Sequence, residues 1–335
     1  MTDNIHNELV EWADKFLELA IWKNISDSDN FCIQHESWKE PALISIMGNA
    51  GISYGISIWR GVKSYKLLEG LRNSDIDMDT AFIEGDVMCV DKSRDSEISS
   101  ELKSYLAKYG CNMKRNELPL IYVSPVHERI RPPDNDEAAY ILFCLKTILG
   151  LYASGRLKPD RFKKENSLLT FFVKDDNKTI EEKYVVYGAD IELSKTVELT
   201  PEEISSLRSL GRNNSTYLIS YFVGPFSVQE RMMRVLLVHD RNKDKILSTV
   251  PFEATDPFEN IIKKLVEVFK GNNAMGKKGL PKQIITDSKH FYDSSKRYLA
   301  GLGIKVLCSE RVPKLDEVKN SMTRFMRKNK NRNNC

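Results

Sequence analysis

The spacing of hydrophobic positions changes along the chain. Leu9, Val10, Ala13, Phe16, Leu17, Ala20 and Ile21 recur at helical spacing, with Glu11, Asp14, Lys15 and Glu18 between them. This predicts an amphipathic helix over residues 7–23. Two short apolar runs, 42–47 and 55–59, are joined by Gly48-Asn49-Ala50-Gly51. Gly and Asn tolerate positive φ, so the pair reads as a hairpin. Gly61 then leads a helix with Val62, Tyr65, Leu67, Leu68 and Leu71. Residues 86–91 read as a strand, and Ile98, Leu102, Tyr105, Leu106 and Tyr109 as a helix stopped by Gly110.

Past Arg131-Pro132-Pro133, Asp134 and Glu137 have the spacing of a capping box. The helix they open is apolar nearly all round from Ala138 to Leu149, which predicts burial between layers. A hairpin is expected over 168–174 and 183–187, turning at Asp175-Asp176-Asn177. Thr200, Pro201 and Glu203 mark another helix start, and Gly211-Arg212-Asn213-Asn214 its end. From Tyr217 the pattern is regular: strands at 217–223, 232–239 and 246–252, a helix from Phe258, a strand at 284–287, a helix at 288–300, a strand at 304–308 and a helix at 315–326. Strands alternating with helices imply parallel pairing with right-handed crossovers. The expected fold class is α+β in two domains, each a mixed sheet with helices. An N-terminal domain covers 1–155, a connecting hairpin and helix 156–214, a second domain 215–328, and a basic disordered tail 329–335.

Composition narrows the function classes only a little. A length of 335 residues suits two domains, and 41% hydrophobic residues are enough to build their cores. The formal charge of +3 is too balanced to call for nucleic acid or an anionic membrane by itself. The first seven residues carry no basic side chain, and no apolar run approaches the roughly 18 residues of a membrane span. The expectation is a soluble, cytoplasmic protein with no membrane contact. Six cysteines without a C-x-x-C pair argue against a disulfide framework or a structural zinc site.

Two resemblances bear on identity. Residues 42–71, including Gly48-Asn49-Ala50-Gly51 and the helix led by Gly61, together with residues 280–322, resemble an uncharacterised bacterial family of two domains of unknown function. That resemblance implies two domains and supplies no catalytic residue. The element order after residue 216 is similar to that of the ribonuclease H-like superfold, which implies metal-dependent phosphoryl transfer. Enzymes of that superfold hold two divalent ions about 4 Å apart on carboxylates from the first strand, the fourth strand and a late helix. Asp287 falls where the fourth-strand acid belongs, and Asp316 or Glu317 where the helical acid belongs. The first strand, 217–223, has no carboxylate, so the site looks degenerate.

Each candidate also has a plain structural reading. Asp287, just before a helix, is in a position where turn and cap residues are common. Asp190 and Glu192 form a D-x-E pair that replaces the missing acid only if the domain begins near Lys183. His127, Glu128, Arg129 and Arg131, in a Pro-flanked loop, are weighed as an anion site against an ordinary solvated loop. Neither Gly48-x-x-Gly51 nor Gly276-Lys277-Lys278-Gly279 fits a phosphate loop. From Lys319 onward the chain has no acid, and Arg324, Arg327, Lys328, Lys330 and Arg332 offer weak, salt-sensitive contact with nucleic acid. The expected function is a non-catalytic binding or interaction protein with a protein partner, no cofactor and no metal. The alternative is a nuclease or phosphotransfer enzyme that uses Asp287 with Mg²⁺ or Mn²⁺. The sequence does not fix the oligomeric state.

Overall fold

The computed structural model describes residues 2–332 apart from residues 50, 52, 165, 177, 189–196, 198 and 199. The chain divides into two compact units, Met1–Arg72 with Ala81–Ile191, and Asn73–Thr80 with Glu192–Cys335. Both are α+β with a mixed sheet.

The first part of the chain runs α1 (Thr2–Leu19), β1 (Phe31–His35), β2 (Ala42–Met47), β3 (Gly55–Arg60), α2 (Gly61–Arg72), α3 (Met78–Glu84) and β4 (Val87–Arg94). It continues with α4 (Ser100–Lys108), β5 (Glu117–Ser124), α5 (Asn135–Ala153), β6 (Lys163–Lys164), β7 (Ser167–Val173) and β8 (Ile180–Val185). The sheet order is β5-β4-β3-β2-β1-β7-β6, with β8 also on β7. Among the described strands of this sheet only the β1–β7 pair is parallel. Alternation along β1 to β4 puts Ile33, Ile44, Ile58 and Val90 on the face that meets Phe16, Ile141, Leu145 and Ile148 of α1 and α5. Each such side chain contributes about 1.5–3 kcal/mol by leaving water. The Asp134 carboxylate accepts the Glu137 N–H at 2.9 Å, and the Glu137 carboxylate accepts the Asp134 N–H at 2.8 Å, so the expected capping box opens α5.

The second unit contains α6 (Pro201–Arg208), β9 (Thr216–Val228), β10 (Arg231–Asp240), β11 (Lys245–Glu253), α7 (Phe258–Phe269), β12 (Gln283–Thr286), α8 (Lys289–Gly301), β13 (Lys305–Cys308) and α9 (Pro313–Arg332). Its sheet order is β11-β10-β9-β12-β13. β9, β10 and β11 are antiparallel, while β12 runs parallel to β9 and β13 parallel to β12. One face carries Tyr217, Ile219, Leu236 and Val238 into a core with Ile261 and Leu265 of α7 and Phe291 and Leu299 of α8. The other carries Leu218, Leu237 and Ile285 against Leu315 and Val318 of α9. A sheet covered on both faces matches the nearly continuous apolar runs in its strands.

Three expectations change. The segment 156–214 is not a connector: β7 pairs with β1 through Cys32 and Thr170, so its hairpin is part of the first sheet. Leu207 of α6 instead joins the core of the second unit. The strands β1 and β5 went unpredicted; β1 has only three apolar residues before Gln34 and His35, too short a run for periodicity to register. The tail boundary also moves, because α9 continues as helix through Arg332. No Gly or Pro interrupts the chain after Pro313, and lysines and arginines suit a helix C-terminus. Residues 333–335 lie outside the described residues.

Candidate functional site

The carboxyl end of β12 brings together the acid and the helix singled out in the sequence. Ser288 caps α8, accepting the Phe291 N–H at 3.2 Å, while Thr286 Oγ1 accepts the Ser288 N–H at 3.1 Å. Asp287 lies between these two and caps nothing. Its side chain follows Ile285 onto the face covered by α9. There Lys319 Nζ of α9 stands 2.7 Å from Asp287 Oδ2. The Asp287 side chain is only 8% exposed, and its Oδ1 is buried without a hydrogen-bond partner.

Parallel register adds a neighbour. Thr286 pairs with Ile219, so Ser220 is beside Asp287 on the adjoining strand. Ser220 is fully buried and shares the α9 face with Leu218 and Phe222, and its hydroxyl has no partner. Ser220 therefore stands next to Asp287 on β9, a strand whose residues 217–223 carry no carboxylate. Lys319 also approaches Asp316 Oδ1 at 3.6 Å and lies over the Phe222 ring at 5.5 Å. One ammonium thus sits between the carboxylates of Asp287 and Asp316, with Asp79 acting on it electrostatically as well.

The other candidates are not gathered here. Glu317 turns to Lys314 at 3.1 Å and is largely exposed. Asp190 and Glu192 lie outside the described residues, as do the side chains of Arg327, Lys328, Lys330 and Arg332. Arg324 is exposed on α9. On the opposite face of this sheet, Arg234 is buried over the Tyr221 ring at 5.2 Å, and its Nη1 has no partner. Nearby, the backbone N–H of Val223 donates to Asp79 at 3.0 Å, where β10 changes register. Arg234 was missed because a single cation inside a strand has no distinguishing sequence signal.

The remaining loop and thiol candidates are explained by internal pairing and burial. In the Pro-flanked loop, His127 meets Glu84 at 3.1 Å, Arg129 meets Glu101, and Arg131 grips both oxygens of Glu137 at 2.7 and 2.9 Å. With each of these side chains already facing a carboxylate, the loop is not arranged for an anion. Burial raises the Glu84 carboxyl, but His127 and Lys63 outweigh it and hold the group down at about 2. The described cysteines are free thiols, and burial pushes that of Cys32 up to about 12. That leaves it unsuited to nucleophilic or metal-binding work near neutral pH. Among the described residues no group of three or more His, Cys, Asp or Glu is placed to hold a metal ion. No described helix is long and apolar enough to cross a membrane.

Comparison with known proteins finds two domains of unknown function. The family model described as Domain of unknown function (DUF7309) matches residues 6–174, and that described as Domain of unknown function (DUF6930) matches residues 203–323. No curated protein and no solved structure matches the chain. Since the first match spans half of the chain, the protein belongs to the DUF7309 family, with a DUF6930 domain following.

Proposed function

We propose that the second domain is a ribonuclease H-like module that has given up metal-dependent chemistry and acts by binding. The strand order β11-β10-β9-β12-β13, with three antiparallel strands followed by two parallel ones, supports that fold reading. The observation that carries the functional reading is the Lys319–Asp287 pair at 2.7 Å. Two divalent ions held so close together repel strongly, and only several converging carboxylates can offset that repulsion. Here Ser220 stands in the first strand, Glu317 points elsewhere, and an ammonium is bound to Asp287. The residues present do not fit a metal pair.

Assays of the full chain on single- and double-stranded DNA and RNA with Mg²⁺ or Mn²⁺ test this reading. The expected result is no metal-dependent cleavage. Cleavage that is abolished by Asp287→Asn would restore the enzyme reading. Pull-down from the native host, with and without nuclease treatment, then separates a protein partner from nucleic acid held through the basic end of α9.

A further inference from the structure

We infer that the Lys319 ammonium is a tethered stand-in for a single divalent cation at Asp287, so that this pocket is a cation site filled from within the chain. The inference deepens the binding reading above and rests on it. Four features of the pocket support it. The Asp287 side chain is more than nine-tenths buried, yet one of its oxygens has no hydrogen-bond partner. The Ser220 hydroxyl beside it on the next strand is buried and equally without a partner. Asp316 stands one helical turn before Lys319, with an oxygen 3.6 Å from the ammonium. The side chains packed around it, Phe222, Ile285, Leu315 and Val318, are apolar, and the carboxylate of Asp79 is a further negative charge that acts on Lys319.

Buried oxygens left unpaired are costly. Around a cation, however, they are ligands. A hard divalent ion approaches oxygen to about 2.0–2.6 Å, takes carboxylate and hydroxyl donors, and keeps water in its remaining positions. The ammonium satisfies Asp287 Oδ2 and leaves Asp287 Oδ1 and the Ser220 hydroxyl without a partner. The charges agree with this assignment. Removing the ammonium leaves the carboxylates of Asp287 and Asp316 uncompensated, two negative charges that a divalent ion neutralises. Two carboxylates and a hydroxyl are enough for one ion but not for a pair.

Lys319→Ala and Lys319→Gln test the inference, with Mn²⁺ as the probe. The glutamine keeps an N–H donor for Asp287 and guards against simple loss of folding. Binding is followed by electron paramagnetic resonance of free Mn²⁺, and stability by the melting temperature with and without the ion. Both variants should bind one Mn²⁺ with affinity at least about tenfold above wild type, because a like charge has left the site. Each should recover melting temperature on binding. Adding Asp287→Asn to Lys319→Ala should abolish the gain. Folded variants that bind no more Mn²⁺ than wild type would overturn the inference, as would uptake that survives Asp287→Asn. These outcomes are separate from nuclease activity of the wild type, which alone decides the binding reading.

Discussion

Ser220 and Asp287 stand side by side on one face of the second sheet, one residue beyond the register pair Ile219–Thr286, and each keeps a buried oxygen without a partner. Where two acids would repel one another, the chain has one acid, one hydroxyl and a lysine from α9. The Asp287–Lys319 contact is then a stability device.

Removing only the cation leaves a buried carboxylate uncompensated. Lys319→Met should destabilise the second unit by about 1–3 kcal/mol. Asp287→Asn combined with Lys319→Met should regain part of that loss, with a coupling of about 1–2 kcal/mol. Urea unfolding of the two single variants and the double variant measures the coupling. Strictly additive losses would mean that the pair contributes no interaction of its own.

Much of the second unit was legible because its elements are long or sharply bounded. The face of α7 built from Ile261, Ile262, Leu265, Val268 and Phe269 fixes a helix, and alternating strands and helices fix parallel neighbours for β12. Asp287 could be located for the same reason, since it ends a short apolar strand. Its partner could not. Lys319 reads as the first of a basic run, and only folding brings it across to a residue 32 positions earlier. The first sheet was less legible because the β1–β7 pairing joins segments far apart in sequence, and no local pattern announces which distant strand will be the neighbour.

Asp91 should make the first unit sensitive to pH. It lies on β4 opposite Gly55, with Oδ1 buried and unpartnered and Oδ2 3.5 Å from the Tyr122 hydroxyl. Burial raises its carboxyl to about 6, with the Tyr122 hydrogen bond opposing. An unfolded Asp titrates near about 3.9, so between roughly pH 4 and 6 the folded state holds more protons. The stabilising effect of the proton is full below the unfolded value and is lost as pH rises through about 6. Asp91→Asn should therefore raise stability near pH 7 by about 1–2 kcal/mol and lose that advantage toward pH 4. Melting curves across this range decide it, and a variant less stable than wild type at pH 7 would contradict the argument.

The opposite sign is expected at Asp240, which is fully buried at the end of β10. Its Oδ2 accepts from Lys277 Nζ at 2.7 Å and from Ser215 Oγ at 3.2 Å, and its Oδ1 accepts the N–H groups of Asn242 and Lys243 at 2.9 and 3.3 Å. Burial pushes the carboxyl up, but the Lys277 hydrogen bond and the Asn242 N–H outweigh it and hold the group below its usual range. A depressed folded value makes the contribution complete above the unfolded value of about 3.9, and it is lost as pH falls through the lower folded value. Asp240→Asn should thus destabilise the second unit near neutral pH by about 1–3 kcal/mol, with the difference from wild type shrinking below about pH 4. Lys277→Met should lose at least as much at neutral pH, because the carboxylate keeps its charge inside the sheet end with only hydroxyl and N–H partners. That loss should also narrow on acidification, since protonating Asp240 removes the uncompensated charge. Urea unfolding of both variants from about pH 3 to 7 measures the two slopes. A Lys277→Met loss that stays constant over the whole range would show that Asp240 is not ionised in the folded protein.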